Sequence, residues 1–170
     1  MLKRRRHAGR QKGFTIVEAL VAIGVLAILA SLAAPSFETT LVNFRVRVTA
    51  EGLVSGLQLA RAEALRRNQP VRFTLADGRG NWSVATVSPV STLQEAKGSS
   101  AAGVTITPNP SQTNVVFLPT GLVDTASPRI EDIDLTTRVP GVNGLRVQVH
   151  GGGLVQMCDP AATGSDSRKC

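Results

Sequence analysis

Residues 14–34 read FTIVEALVAIGVLAILASLAA, 21 positions with a single charge, Glu18. At about 1.5 Å per residue such a run is long enough to cross a bilayer as a helix. Lys3, Arg4, Arg5, Arg6, Arg10 and Lys12 stand before it without one acid among them. The leader is therefore expected to stay cytoplasmic and the remainder to cross. The leader also explains the net charge of +7: beyond Gly13 only 13 basic residues face 12 acidic ones. That near balance is weak evidence for nucleic-acid binding by the rest of the chain.

Three readings fit the N-terminus. A cleavable signal peptide would use the small residues around Ser31-Leu32-Ala33, but the apolar run is long and Glu18 interrupts it early. A plain membrane anchor leaves Glu18 as an unexplained cost of a few kcal/mol. The third reading uses every residue. KGFTIVE, residues 12–18, resembles the processing site of type IV prepilins. The resemblance implies that a dedicated prepilin peptidase cuts between Gly13 and Phe14 and that the new N-terminus is methylated. Glu18 is then an assembly residue: a carboxylate in an apolar bundle requires a positive partner, and the Phe14 ammonium of a neighbouring subunit supplies one. Pro35 matches the proline that kinks the family's long N-terminal helix.

Beyond Pro35 the apolar residues recur at helical spacing, as Phe37, Leu41, Phe44 and Val48 and then as Leu53, Leu57, Ala60 and Ala64. Asn68-Gln69-Pro70 ends the run. One helix is predicted over about residues 14–68, on the order of 80 Å long, half of it in the membrane and half packed on a domain. After Pro70 the period falls to two. Strands are predicted at 71–75, 82–87, 104–107, 115–118, 129–135, 145–150 and 154–158, with turn signals at Asp77-Gly78 and Gly151-Gly152-Gly153. Residues 88–103 read as a long polar loop. The predicted fold is α+β, the type IV pilin fold: a long N-terminal helix on an antiparallel sheet. Its parts are a leader (1–13), a transmembrane half-helix (14–35), an amphipathic half-helix (36–69) and a periplasmic β-rich domain (70–170).

Two further segments resemble the GspH/FimT group of FimT/FimU-type minor pilins and pseudopilins: VVFLPTGLV (115–123) and LRVQVHGGGLVQMC (145–158). The resemblance covers essentially the whole chain. It implies a subunit of the bacterial inner membrane that enters a type IV pilus, near its tip, with other minor pilins. An H-type pseudopilin of type II secretion is the nearest alternative. A third class, the DNA-binding minor pilins of natural transformation, carries a Gly-Arg-x-Arg motif in the last hairpin. The matching stretch here is Gly153-Leu154-Val155-Gln156, which lacks both arginines, so DNA is not the favoured partner. Arg168 and Lys169, or Arg129, Arg138 and Arg146, would have to substitute.

Cys158 and Cys170 are the only cysteines. Two thiols cannot make a four-ligand zinc site, and an exported domain is expected to pair them. No enzyme is expected. His150, the one histidine after the leader, has no serine or cysteine constellation around it. Glu131, Asp132 and Asp134 lack a glycine-spaced calcium loop, so neither a metal nor a cofactor is expected.

Overall fold

The computed structural model describes residues 13–97 and 103–170, with the side chains of residues 33–35 excepted. The charged leader and the side chain of Pro35 therefore lie outside the described set. Helix α1 runs Ile16–Arg67, followed by β1 Val71–Leu75, β2 Trp82–Thr86, β3 Thr92–Ala96, β4 Val104–Asn109, β5 Asn114–Phe117, β6 Asp132–Thr137, β7 Leu145–Val149 and β8 Val155–Cys158. The chain divides into two compact units, residues 1–37 and 38–170.

The helix stops where the sequence says it should, by a recognisable device. Asn68 takes a left-handed conformation (φ 52°), and Gln69 N donates to Ala64 O at 3.3 Å. This is the Schellman arrangement with asparagine in the position usually held by glycine. Pro70 then prevents resumption.

The second unit holds two four-stranded sheets rather than the single sheet expected. Their orders are β3-β2-β1-β5 and β4-β6-β7-β8, and every pairing between strands is antiparallel. The predicted strand at 129–135 begins later, at Asp132. Its first three residues instead bridge the sheets: Ile130 N donates to Asn114 O at 3.0 Å, and Glu131 N to Asn109 O at 3.0 Å. The polar loop expected at 88–103 contains β3. TLQEA was not legible as a strand because Gln, Glu and Ala are poor strand formers and the segment does not alternate. It is an edge strand held by pairing with β2 rather than by a buried face of its own.

One hydrophobic core serves both sheets. From α1 it takes Val42, Val46, Ala50, Leu53, Leu57, Ala60 and Ala64; from the strands, Val71, Phe73, Val84, Val115, Phe117, Ile133, Leu135 and Val147 among others. Among the described residues the core begins at Val42 and lies wholly within residues 38–170. Helix and sheet approach most closely at Gly56, where an added Cβ would lie 2.9 Å from the rings of both Phe73 and Trp82. Those two rings pack against each other with centroids 5.9 Å apart.

The sequence reading of the helix was right in its second run and wrong in its first. Leu53, Leu57, Ala60 and Ala64 are buried, but Phe37, Leu41, Phe44 and Val48 are exposed. The residues that dock this part of the helix are Val42, Val46, Thr49 and Ala50. At 3.6 residues per turn they lie roughly opposite the predicted stripe.

Candidate assembly surface

Within the first unit, residues 14–32 are almost entirely apolar and exposed. Phe14, Ile16, Val17, Leu20, Val21, Ile23, Val25, Leu26, Ile28, Leu29 and Leu32 are all exposed, Phe14 by 81%. In water a helix apolar on every side is unstable as a surface element; it belongs against lipid or against other helices. Within α1, neither Ile16–Leu32 nor Ser36–Arg67 alone is long and apolar enough to cross a membrane, whereas by length and composition the two taken together are.

Gly13, Phe14 and Thr15 lead into the helix. Thr15 Oγ1 accepts the Glu18 backbone N–H at 3.2 Å, and Thr15 O accepts from Ala19 N at 3.1 Å. Thr15 is therefore the N-cap, with Glu18 at the third helical position, the spacing of a capping box. The sequence reading assigned Glu18 to assembly and overlooked Thr15, although T-x-x-E was there to be read. The Glu18 carboxylate also sits in the first turn, where the helix dipole favours negative charge. The Glu18 side chain is exposed, as is Phe14.

In the second unit, Leu41, Phe44 and Val48 form an apolar stripe on the outer side of α1, with Phe44 66% exposed. Arg47 and Glu51 flank it as an exposed ion pair at 3.0 Å.

The two segments that resemble the GspH/FimT group meet in space. The turn after β5 closes with Gly121 N donating to Leu118 O at 2.8 Å and Leu118 N to Leu122 O at 2.8 Å. The β7–β8 hairpin closes with Gly153 N donating to His150 O at 2.8 Å and His150 N to Leu154 O at 2.9 Å. Val123 N donates to Gly151 O at 3.0 Å, joining the two turns. Arg61 reaches across from α1, its Nε donating to Gly121 O at 3.1 Å. In the stretch Gly153–Gln156, Leu154 is 54% exposed and Val155 is buried. Gln156 Nε2 donates to Gln148 Oε1 at 3.1 Å. An exposed leucine thus occupies the place of the absent first arginine.

Cys158 and Cys170 form a disulfide with Cα atoms 5.0 Å apart. Asp159 N donates to Arg168 O at 2.7 Å, and Asp159 and Lys169 form a parallel bridge beside the end of β8. Arg168 pairs with Asp166 through two side-chain contacts, at 3.2 and 2.8 Å. This hydrogen bonding holds the Asp166 carboxyl down to about 2 and raises Arg168. A phosphate would compete with that carboxylate for Arg168. Lys169 is exposed.

The remaining acidic cluster is partitioned among neighbours. Asp134 accepts from Arg146 at 2.7 and 3.1 Å, which raises the Arg146 pKa. Asp132 accepts from Gln148 at 3.2 Å, and Glu131 pairs with Arg129 at 2.9 Å. Among the described residues, no three or more His, Cys, Asp or Glu side chains gather to hold a metal. His150 is an exposed turn residue.

Residues 9–34 match the prokaryotic N-terminal methylation motif, and residues 49–153 match the family described as Type II transport protein GspH. No curated protein matches the chain. Among solved structures it is similar to the type IV minor pilin FimU of Pseudomonas aeruginosa (18% identity, TM-score 0.59, covering 71% of this chain and 92% of that one). It is also similar to GspH of E. coli (21%, TM-score 0.50, 75% and 94%). The minor pseudopilin EpsH of the Type 2 Secretion System of Vibrio cholerae is a further likeness (15%, TM-score 0.52, 69% and 99%). These likenesses concern the fold: a long N-terminal helix on antiparallel sheets. With the family model spanning most of the folded unit and the methylation motif spanning the apolar helix, the chain belongs to the GspH family of minor pilins and pseudopilins.

Proposed function

We propose that this protein is a minor pilin that enters a type IV pilus through α1, near the filament tip. Prepilin peptidase cuts it between Gly13 and Phe14, and Phe14 is then methylated. Before assembly it crosses the inner membrane once with residues 70–170 in the periplasm. After assembly it lies in the pilus. The observation that carries this reading is the exposed apolar surface that runs from Phe14 to Leu32. Such a surface needs lipid before assembly and neighbouring helices after it. Glu18 fits the role of register device, because a carboxylate moved into an apolar bundle needs a cation, and the freed Phe14 ammonium is the nearest source by sequence. Pro35 matches the proline that kinks the family's long N-terminal helix.

The second reading, an H-type pseudopilin of type II secretion, is favoured by the family match over residues 49–153. Both readings require the same processing and the same helix packing, and they differ in the machine. The DNA-receptor reading has less support, because the last hairpin offers Leu154 in place of arginine and Arg168 is engaged by Asp166.

The test is Glu18→Val in the full chain. We expect the variant to be cleaved at Gly13 as the wild type is, yet to be lost from purified filaments. Normal incorporation would overturn the pairing argument. Expressing wild type in strains lacking either the pilus or the secretion machinery then separates the two readings by which filament retains it.

A further inference from the structure

The bond that processing would cut, between Gly13 and Phe14, lies just ahead of α1, which begins at Ile16. Gly13, Phe14 and Thr15 are not helical. Among the described residues, the first carbonyl to accept a bond from the helix is that of Thr15, from Ala19 N at 3.1 Å. A Cβ added to Gly13 would meet none of the described chain within 4 Å, and Phe14 is 81% exposed.

Hydrolysis adds water across this amide. The water oxygen bonds to the Gly13 carbonyl carbon, the C–N bond breaks, and a proton passes to the Phe14 nitrogen. The products are a Gly13 carboxylate and a Phe14 ammonium. The catalytic groups belong to the peptidase. What this chain must supply is a carbonyl free to be approached and to become tetrahedral. A carbonyl inside a helix is tied to the N–H four residues on and enclosed by the next turn.

One hydroxyl holds the helix start away from this bond. In a longer helix the Glu18 N–H would bond to the carbonyl four residues back, that of Phe14. Here it bonds to Thr15 Oγ1 at 3.2 Å. Without that oxygen, the N–H stands at the head of an apolar run, where other acceptors are scarce and an unmade bond is costly. The Phe14 carbonyl would then take its place. The next step of the same extension, Val17 N to Gly13 O, would tie up the scissile carbonyl itself. Gly13 opposes that step as well, being a poor helix former.

We infer that Thr15 is a positioning residue for processing: by capping α1 it keeps the bond between Gly13 and Phe14 outside the helix, where the peptidase can act on it. The inference rests on the processing reading and names the residue in the mature chain that makes the bond cleavable.

The test measures initial rates of leader release from the full-length precursor in detergent micelles, with prepilin peptidase, across precursor concentration. Thr15→Val keeps the shape of the side chain and removes the capping oxygen. Its kcat/KM should fall about fivefold, the factor by which a typical N-cap favours its helix boundary. Thr15→Ser and Thr15→Asn cap as well as threonine or better, and each should stay within about twofold of wild type. The Cα chemical shift of Phe14 reads the helix boundary itself, and of these variants Thr15→Val alone should move it toward the helical value. Thr15 lies outside the hydrophobic core, so the variants leave the second unit intact. Cleavage of Thr15→Val at the wild-type rate overturns the inference. So does a Thr15→Asn variant that is cut as poorly as Thr15→Val while Thr15→Ser is cut normally, because the peptidase would then be reading the hydroxyl and not the cap. A wild type that is not cut between Gly13 and Phe14 is a different result, and it would end the processing reading itself.

Discussion

Arg61 Nε donates to the carbonyl oxygen of Gly121 at 3.1 Å, across 60 residues of chain. The bond fastens α1 to the turn after β5, and that turn is bound to the last hairpin through Val123 and Gly151. Gly153 sits under the same carbonyl. A Cβ added to it would fall 2.0 Å from Gly121 O and 3.0 Å from Arg61 Nε, on a backbone with φ 77°. Gly153→Ala should therefore cost about 2–4 kcal/mol, combining backbone strain with a clash against main chain that cannot swing aside. Arg61→Ala should cost about 1–2 kcal/mol. Urea unfolding of residues 38–170 measures both; a Gly153→Ala variant as stable as wild type would refute the close approach.

Phe44 and Leu57 are both large apolar residues on α1, yet one is 66% exposed and the other fully buried. Leu57→Ala is expected to lose about 2–5 kcal/mol of stability. Phe44→Ser is expected to change it by less than about 0.5 kcal/mol while reducing incorporation into filaments. Thermal melts of the fragment and filament yields of the full chain, taken together, give the comparison.

The disulfide joins residues with a sequence separation of 12. In the chain-entropy model a loop of that size is worth about 3 kcal/mol. Cys170→Ser paired with Cys158→Ala should lower the urea midpoint accordingly, and reduction of the wild type should reproduce the loss. Since Cys158 is buried and Cys170 exposed, Cys158→Ala adds a small cavity cost beyond the cross-link itself.

Glu63 takes hydrogen bonds from Arg66 and Arg67, and these hold its carboxyl down to about 2 from an ordinary value near 4.5. The folded state thus prefers the ionised form. Its contribution is complete above about pH 4.5 and is lost as pH falls through about 2. Both arginines reach solvent, so the effect is modest and falls with salt. Glu63→Gln should flatten the stability profile in that window and leave the profile above pH 6 parallel to wild type, as urea midpoints across pH would record.

Much of the fold could be read because its signals are local. The apolar run, the Asn68-Gln69-Pro70 stop and the alternation at 71–75 and 145–149 each name an element without help from the rest of the chain. The strand β3 could not, since what makes it a strand is the neighbouring β2. The division into two sheets was hidden for the same reason: it depends on how residues 129–131 pass between strands. The misplaced helix stripe is different, because evidence against it was present. Val48 and Leu53 are five positions apart, which breaks the spacing of three and four that one face demands. At the candidate site, the leader glycine, Phe14 and Glu18 stand out by spacing, and the cysteines by their scarcity. Arg61 gave no sign, because a single arginine on a helix looks solvated until its distant carbonyl is known.

Between residues 41 and 48 the helix is apolar on two opposite sides, with Val42 and Val46 inward and Leu41, Phe44 and Val48 outward. Taken alone, that stretch could lie on its own sheets either way up, since half a turn about its axis exchanges one greasy side for the other. Nothing local chooses. The choice is imposed from farther along, where Leu53, Leu57 and Ala60 offer a single apolar side and Gly56 fits over the Phe73 and Trp82 rings like a notch on a key. The folded domain thus sets the rotation of this stretch of α1 about its own axis, and with it the side on which Phe44 is exposed. A bulky residue at Gly56 would do more than loosen a core. It would free residues 41–48 to present the other apolar side, and a subunit could remain folded while losing its sense of direction.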